Sequence, residues 1–219
     1  CYLYQNQNGL KMNVEKAYDS WSTQYDNNEN KTRDLEAIAL KQLLAGKNFK
    51  NCLEIGCGTG KNTTWLLTIS DHITAIDLSE GMLAIAKEKL ASDKVQFEIV
   101  DVTKDWTFAK GAYDLVTFSL MLEHIEDLAA VFQKLAKHTA TGSCVYIGEL
   151  HPFKQYAGSK ARFETAAGTQ VVTCFNHHIT DFINAAQKNG FKLIQLEEQF
   201  DDQDRNQIPR ILNLLFEKL

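Results

Sequence analysis

The chain has 219 residues, 44% hydrophobic and 23% charged, which is enough for one well-formed α/β core and too few for two ordinary domains. Its formal net charge of −5 argues against a broad, sequence-independent grip on nucleic acid, which needs a basic footprint. No apolar run nears the roughly 18–20 residues of a membrane helix, and five cysteines without C-x-x-C spacing and no charged-then-apolar leader suit reduced thiols in a cytoplasmic protein.

Residues 1–11 read as an expression-derived or upstream extension ahead of Met12. The segment 12–46 is expected to be helical. Val14, Tyr18, Trp21 and Tyr25 recur at near-helical spacing, and Leu35, Ile38, Ala39 and Leu43 form a second apolar stripe that Gly46 stops. A polar loop, Asp26 to Lys31, lies between them. Residues 47–219 then carry the main domain.

Its first strand ends in Asn51-Cys52-Leu53-Glu54-Ile55 and runs directly into Gly56-Cys57-Gly58-Thr59-Gly60. Lys61 to Leu67 follows as a helix with a polar first turn. Strand, tight glycine turn and helix in this order bring backbone amides close to a ligand, because glycine tolerates positive φ and carries no Cβ. The next strand, His72 to Ile76, ends at Asp77, where an acid is placed to grip a ribose diol. A dinucleotide fingerprint would put its third glycine at position 61, and Lys61 stands there instead. Glu54, just before the first glycine, is expected to repel a pyrophosphate.

Ser79 is a credible N-cap for the helix Glu80 to Leu90. Val95 to Val100 alternates as a third strand ending at Asp101 and Val102, and Trp106 and Phe108 sit in the connection that follows. The pattern Glu54-x-Gly56-x-Gly58-x-Gly60, then Asp77, then Asp101, resembles the first three motifs of class I S-adenosylmethionine-dependent methyltransferases. The resemblance runs from about Tyr18 to the C-terminus and is strongest between Leu53 and Asp127. It implies that the glycine loop approaches the methionine part of S-adenosyl-L-methionine, that Asp77 holds both ribose hydroxyls, and that Asp101 and Val102 meet adenine. It extends the cofactor set to Glu54, Cys57, Leu78, Met82 and Ser119, and it makes the 12–46 segment a partial lid, with Tyr25 and Trp21 at the methionine end.

Tyr113 to Phe118 reads as the fourth strand and Ser143 to Leu150 as the fifth, with a helix over Asp127 to His138 between them. Residues 152–172 break the rhythm as an irregular, substrate-side insertion. A helix over Thr180 to Asn189 and strands over Phe191 to Phe200 and Ile211 to Leu219 complete the chain. Five β-α units followed by helix, strand, strand imply a Rossmann-like, doubly wound, seven-stranded and mostly parallel sheet with one antiparallel strand.

The expected function is methyl transfer to a small-molecule acceptor, with no metal, nucleic-acid or membrane partner. The alternatives are a non-catalytic module that binds the same cofactor and a nicotinamide-dependent oxidoreductase. Three segments are expected to converge on the acceptor: Leu120 to His124, His151 to Phe163, and Asn176 to His178. The middle one is basic and aromatic (Lys154, Tyr156, Lys160, Arg162, Phe163), which suits a carboxylate or phosphate on the acceptor. His124 and His151 stand at strand ends as the candidate general bases.

Overall fold

The computed structural model describes residues 14–26, 29–165 and 168–219, so the extension read at residues 1–11 lies outside the described residues, as do Asn27 and Asn28 of the polar loop. Two helices come first, α1 (Val14–Tyr25) and α2 (Lys31–Leu43). The start of α2 is set by Asn30, whose side chain accepts from the Thr32 and Arg33 amides.

The sheet then builds outward in both directions. Strands β1 (Phe49–Ile55), β2 (Ser70–Asp77) and β3 (Val95–Ile99) pair in parallel on one side, and β4 (Tyr113–Ser119) and β5 (Thr139–Leu150) continue in parallel on the other. Strand β8 (Phe191–Gln199) forms the far edge, and β9 (Ile211–Lys218) lies between β5 and β8, antiparallel to both. The seven-stranded order is β3-β2-β1-β4-β5-β9-β8, where β6 (Arg162–Thr165) and β7 (Gly168–Val171) form a separate two-stranded ribbon. The fold is therefore the expected Rossmann-like sheet with one antiparallel strand. Chain order reverses between β1 and β4, which opens a crevice at their carboxyl ends.

Each face buries its own apolar layer. On one face, α5 (Leu128–Leu135) and α7 (Ile179–Lys188) contribute Val131, Phe132, Leu135 and Phe182, packed against Val116, Val145 and Leu214. Phe132 is the hub, with the Phe118, Phe191 and Phe216 rings at 6.4, 6.0 and 6.3 Å. Such ring pairs contribute about 0.5–1.5 kcal/mol each beyond area burial. On the other face, Leu40 and Leu43 of α2, Leu66 of α3 (Lys61–Leu66) and Leu83 of α4 (Glu80–Lys89) cover Cys52, Ile73 and Leu115. Among the described residues no helix is long and apolar enough to cross a membrane.

Two expectations need correction. The connection from β3 to β4 contains no helix; turns carry Trp106 and Phe108 back onto the core, and the Trp106 indole donates to the Val102 carbonyl at 3.0 Å. The insertion at 152–172 is also more ordered than its sequence suggests. Pro152 occupies the first turn of a short helix, α6 (Pro152–Tyr156), and the β6–β7 ribbon follows.

Candidate active site

The glycine turn closes the carboxyl end of β1. The amides of Gly56 and Cys57 both donate to the Ile76 carbonyl, at 2.8 and 3.0 Å, which ties the turn to the end of β2. Gly56, Gly58 and Gly60 have φ of 77°, 53° and 81°, so each sits in the left-handed region that favours glycine. Their surroundings differ. A Cβ on Gly56 would lie 2.8 Å from the Met121 side chain and one on Gly60 would lie 2.9 Å from Leu90, whereas a Cβ on Gly58 would meet nothing within 4 Å. Gly58 therefore leaves open space where the crevice begins.

That space is a cavity of about 250 Å³. Gly56 and Gly58 line it from β1 and Asp77, Leu78, Ser79 and Met82 from the β2–α4 junction. Asp101, Val102 and Thr103 line it after β3, and Ser119, Leu120, Met121 and His124 after β4. Asp77 is oriented by its neighbours: Oδ2 accepts from the Gly58 amide at 2.8 Å and Oδ1 from the Ser79 amide at 2.9 Å. Burial pushes its carboxyl above the ordinary value, against the pull of those backbone amides. Each carboxylate oxygen keeps acceptor capacity, so the group suits two further donors such as a ribose diol. Asp101 is fixed by Thr103, whose amide and hydroxyl reach Oδ1 at 2.9 and 2.6 Å. Leu78, Met82 and Val100 supply apolar wall in the same cavity, suited to a flat base. Open backbone at Gly58, an oriented acid and an apolar slot beside a second acid together fit S-adenosylmethionine.

Helix α1 covers the opening, with Val14, Glu15, Tyr18 and Tyr25 on the cavity wall. Two acids latch it. Asp19 Oδ1 accepts from the Ser79 hydroxyl at 2.5 Å and the Gly81 amide at 3.1 Å. Asp26 accepts from the Thr59 hydroxyl at 2.7 Å and pairs with Lys89, and although burial opposes it, these partners hold its carboxyl below the ordinary value.

Beyond β4 the backbone is under tension. Leu120 has a φ of 54°, rare for a branched residue, while the amides of Met121 and Leu122 both donate to Glu149 Oε1 at 3.0 and 2.7 Å. Burial, with the nearby Glu123, pushes Glu149 up to about 8, so it is a neutral acid at pH 7. This loop delivers His124 to the cavity. Its Nδ1 lies 2.8 Å from the Thr173 carbonyl, which can only accept, so Nδ1 carries the proton and Nε2 is the acceptor. The Tyr18 hydroxyl donates to that Nε2 at 2.9 Å, and burial keeps the phenol protonated well above its ordinary pKa.

Several anticipated residues lie elsewhere. Glu54 is buried and turned toward α3, accepting from the Thr63 hydroxyl at 2.6 Å, and is not part of the cavity wall; burial raises its carboxyl to about 8. Cys57 is buried beneath the turn, and Gly60 serves as N-cap of α3. Trp21 packs with Ala17 and Val172, away from the first cavity, while Tyr25 faces it. His151 is 0% exposed: its Nε2 lies 3.0 Å from Glu198, and its Nδ1 accepts the Phe153 amide at the start of α6. Burial pulls its imidazole below the ordinary value, against the opposing pull of Glu198. His177 is buried against the Ile125 carbonyl at 2.7 Å, and His178 stands at the exposed start of α7 with Tyr156 at 2.5 Å. The Phe163 side chain lies outside those described.

Glu123, His124 and Cys174 place ligand-type atoms within 4.8 Å of one another. Burial and Glu123 push the Cys174 thiol up to about 12, and His124 Nδ1 is committed to the Thr173 carbonyl. A second cavity, of about 330 Å³, adjoins the first through their shared wall residues Tyr18, Tyr25 and Leu120.

Residues not read from the sequence as cofactor-binding complete the cavity: Val14, Glu15, Ile55, Ile76, Val100, Thr103 and Ile125. The last residues of β1 and β2 could have been found from their position, since ligands bind at strand carboxyl ends. Glu15 and Thr103 carried no such signal.

Comparison with known proteins agrees with this geometry. A methyltransferase-domain family model matches residues 28–196. The chain is 31% identical over 134 residues to a malonyl-[acyl-carrier protein] O-methyltransferase of Bacillus cytotoxicus, covering 58% of this chain and 46% of that protein. It is 30% identical over 114 residues to a ubiquinone biosynthesis O-methyltransferase of Nitrosomonas europaea, covering 51% and 48%. The chain thus spans about half the length of these two curated relatives. The solved complex of DhpI with S-adenosylhomocysteine superposes with a TM-score of 0.73 at 23% identity, covering 93% of this chain and 94% of that one.

Proposed function

This chain belongs to the methyltransferase-domain family, and from that premise we propose that it transfers the methyl group of S-adenosylmethionine to a small-molecule acceptor. One observation carries the reading. A single cavity has two oriented acids, Asp77 and Asp101, on its wall and also the Tyr18–His124 pair, where it meets a second cavity.

When bound, the cofactor supplies an electrophilic methyl on a sulfonium, so the protein's main tasks are alignment and exclusion of water. Asp77 would accept the ribose hydroxyls, its carboxylate held in place by the Gly58 amide. Asp101 and Val102 would hold the adenine, with Leu78 and Met82 supplying apolar wall. Helix α1 acts as a lid, its Tyr25 facing both cavities and its Asp19 holding it to the start of α4. Tyr18 relays a proton: its hydroxyl proton moves to His124 Nε2 as its oxygen receives one from the acceptor. The Thr173 carbonyl stabilises the resulting imidazolium through Nδ1–H. Both of the relatives described above are named O-methyltransferases, and a proton-taking pair suits a hydroxyl nucleophile. His151 has no part in this scheme; it anchors α6.

The test is turnover. Incubation with S-adenosylmethionine and a panel of hydroxyl-bearing metabolites should release S-adenosylhomocysteine with at least one acceptor, and Tyr18→Phe and His124→Ala should lower kcat roughly 10²-fold or more. Cofactor binding with no turnover on any acceptor would leave a binding module, and preference for NADH over S-adenosylhomocysteine would point to an oxidoreductase.

A further inference from the structure

The second cavity has a charge unlike that of the chain around it. The protein as a whole carries −5, yet among the described residues Arg33, Lys160, Arg162 and Arg210 all line this one space, against a single carboxylate, Glu123. The cations come from three separate parts of the chain: the first turn of α2, the approach to the β6–β7 ribbon, and the residue just before β9. Their convergence is a product of the fold, not of one basic run.

Two of them are held rigidly. The Arg210 guanidinium grips Asp201 with Nε and Nη2, at 2.5 and 2.6 Å, and sends Nη1 to the Thr32 hydroxyl at 3.1 Å. Arg33 donates Nη1 to the Tyr25 carbonyl at 2.6 Å and lies 4.0 Å over the Tyr25 ring. The other two differ: among the described residues neither Lys160 nor Arg162 forms an ion pair. Glu123 lines the same cavity but is drawn back, its Oε2 3.3 Å from the Gln155 amide and its backbone carbonyl bonded to the Phe175 amide. Asparagine and threonine side chains at Asn30 and Thr32 add polar wall. Cations converging on a partly enclosed polar space focus potential on whatever enters it, and guanidinium groups match the planar and tetrahedral oxyanions they recognise.

We infer that this cavity is the acceptor site and that it selects a small acceptor carrying an oxyanion, a phosphate or a carboxylate, held by Lys160 and Arg162 with Arg33 and Arg210 behind them. Resting on the methyl-transfer reading, this placement sets the nucleophile at the wall shared by the two cavities, beside Tyr18, with the anionic group at the basic end. Lys154 and Tyr156, expected from the sequence to share this task, face other partners: Lys154 lies 3.9 Å from Asp201, and Tyr156 meets His178.

Methyl phosphate and propionate serve as probes, titrated by calorimetry at constant ionic strength into protein saturated with S-adenosylhomocysteine. At least one probe should bind at a single site, more than tenfold tighter than chloride, and the tighter of the two tells phosphate from carboxylate. Lys160→Gln with Arg162→Gln should weaken that binding at least fivefold and leave S-adenosylhomocysteine affinity within twofold, because neither residue lines the cofactor cavity. Anion binding no tighter than chloride in the parent, or equal binding in parent and double variant, overturns the inference while S-adenosylhomocysteine still binds. A parent that does not bind S-adenosylhomocysteine overturns the methyl-transfer reading and this inference with it.

Discussion

Tyr18 of helix α1 donates its hydroxyl to His124 Nε2 across 2.9 Å, joining two residues 106 positions apart. One hydrogen bond thus connects helix α1 to the loop after β4. Tyr18→Phe keeps the ring contacts with Trp21 and Tyr25 and removes only this donor. The expected cost is about 0.5–1.5 kcal/mol, read as a severalfold rise in amide exchange of residues 14–25. Exchange identical to the parent would mean that the bond does not hold α1.

The same segment should respond to cofactor. Asp19 and Asp26 already tie α1 and the residue after it to Ser79, which lines the cavity, and to Gly81, Thr59 and Lys89. Adding S-adenosylhomocysteine is expected to slow exchange in α1, and Asp19→Ala to diminish that protection. Equal protection with and without the ligand would reduce α1 to a fixed part of the core.

The glycines at 56 and 58 should separate stability from binding. Gly56→Ala combines a φ of 77° with a Cβ 2.8 Å from Met121, so a loss of about 2–4 kcal/mol in stability is expected. Gly58→Ala carries only the backbone penalty of about 1–2 kcal/mol but puts its methyl on the open side of the turn. It should therefore lose more cofactor affinity per unit of stability lost. Urea unfolding and calorimetry on the two variants measure both quantities.

Glu149 gives a pH dependence. Its folded pKa is raised to about 8, so the folded chain binds its proton more tightly than the unfolded chain does. Stability from this group is full below the unfolded carboxylate value and is lost as pH rises toward 8, by at most about 1.4 kcal/mol per pH unit. Glu54, also raised to about 8, acts with the same sign. Glu149→Gln keeps an oxygen for the Met121 and Leu122 amides and removes the titration. The parent should lose thermal stability relative to this variant between pH 6 and pH 8, and parallel curves would exclude Glu149 as the source.

What the sequence revealed follows from what is local. The glycine turn, Asp77 and Asp101 each sit within a few residues of a strand end, so chain order and the open-sheet rule place them together. Glu54 was misjudged although it adjoins the turn: it faces the α3 side of the sheet, where burial neutralises it. His151 also stands at a strand end, but the chain folds back over it at α6 and β8, and Glu198 takes its ring. The Tyr18–His124 pair and the meeting of Arg33 with Arg162 and Arg210 depend on tertiary packing across the chain, and no spacing rule contains them.

Cofactor binding through Asp77 is the claim on which the rest depends, and calorimetric titration of S-adenosylhomocysteine into the parent and Asp77→Ala tests it. The parent should show saturable binding at one site. The variant, checked for a cooperative thermal transition, should bind more weakly by about 1.5–3 kcal/mol, roughly 10- to 150-fold, as expected when hydrogen bonds to a charged group are lost. No binding to the parent, or equal affinity in a folded variant, would contradict the account.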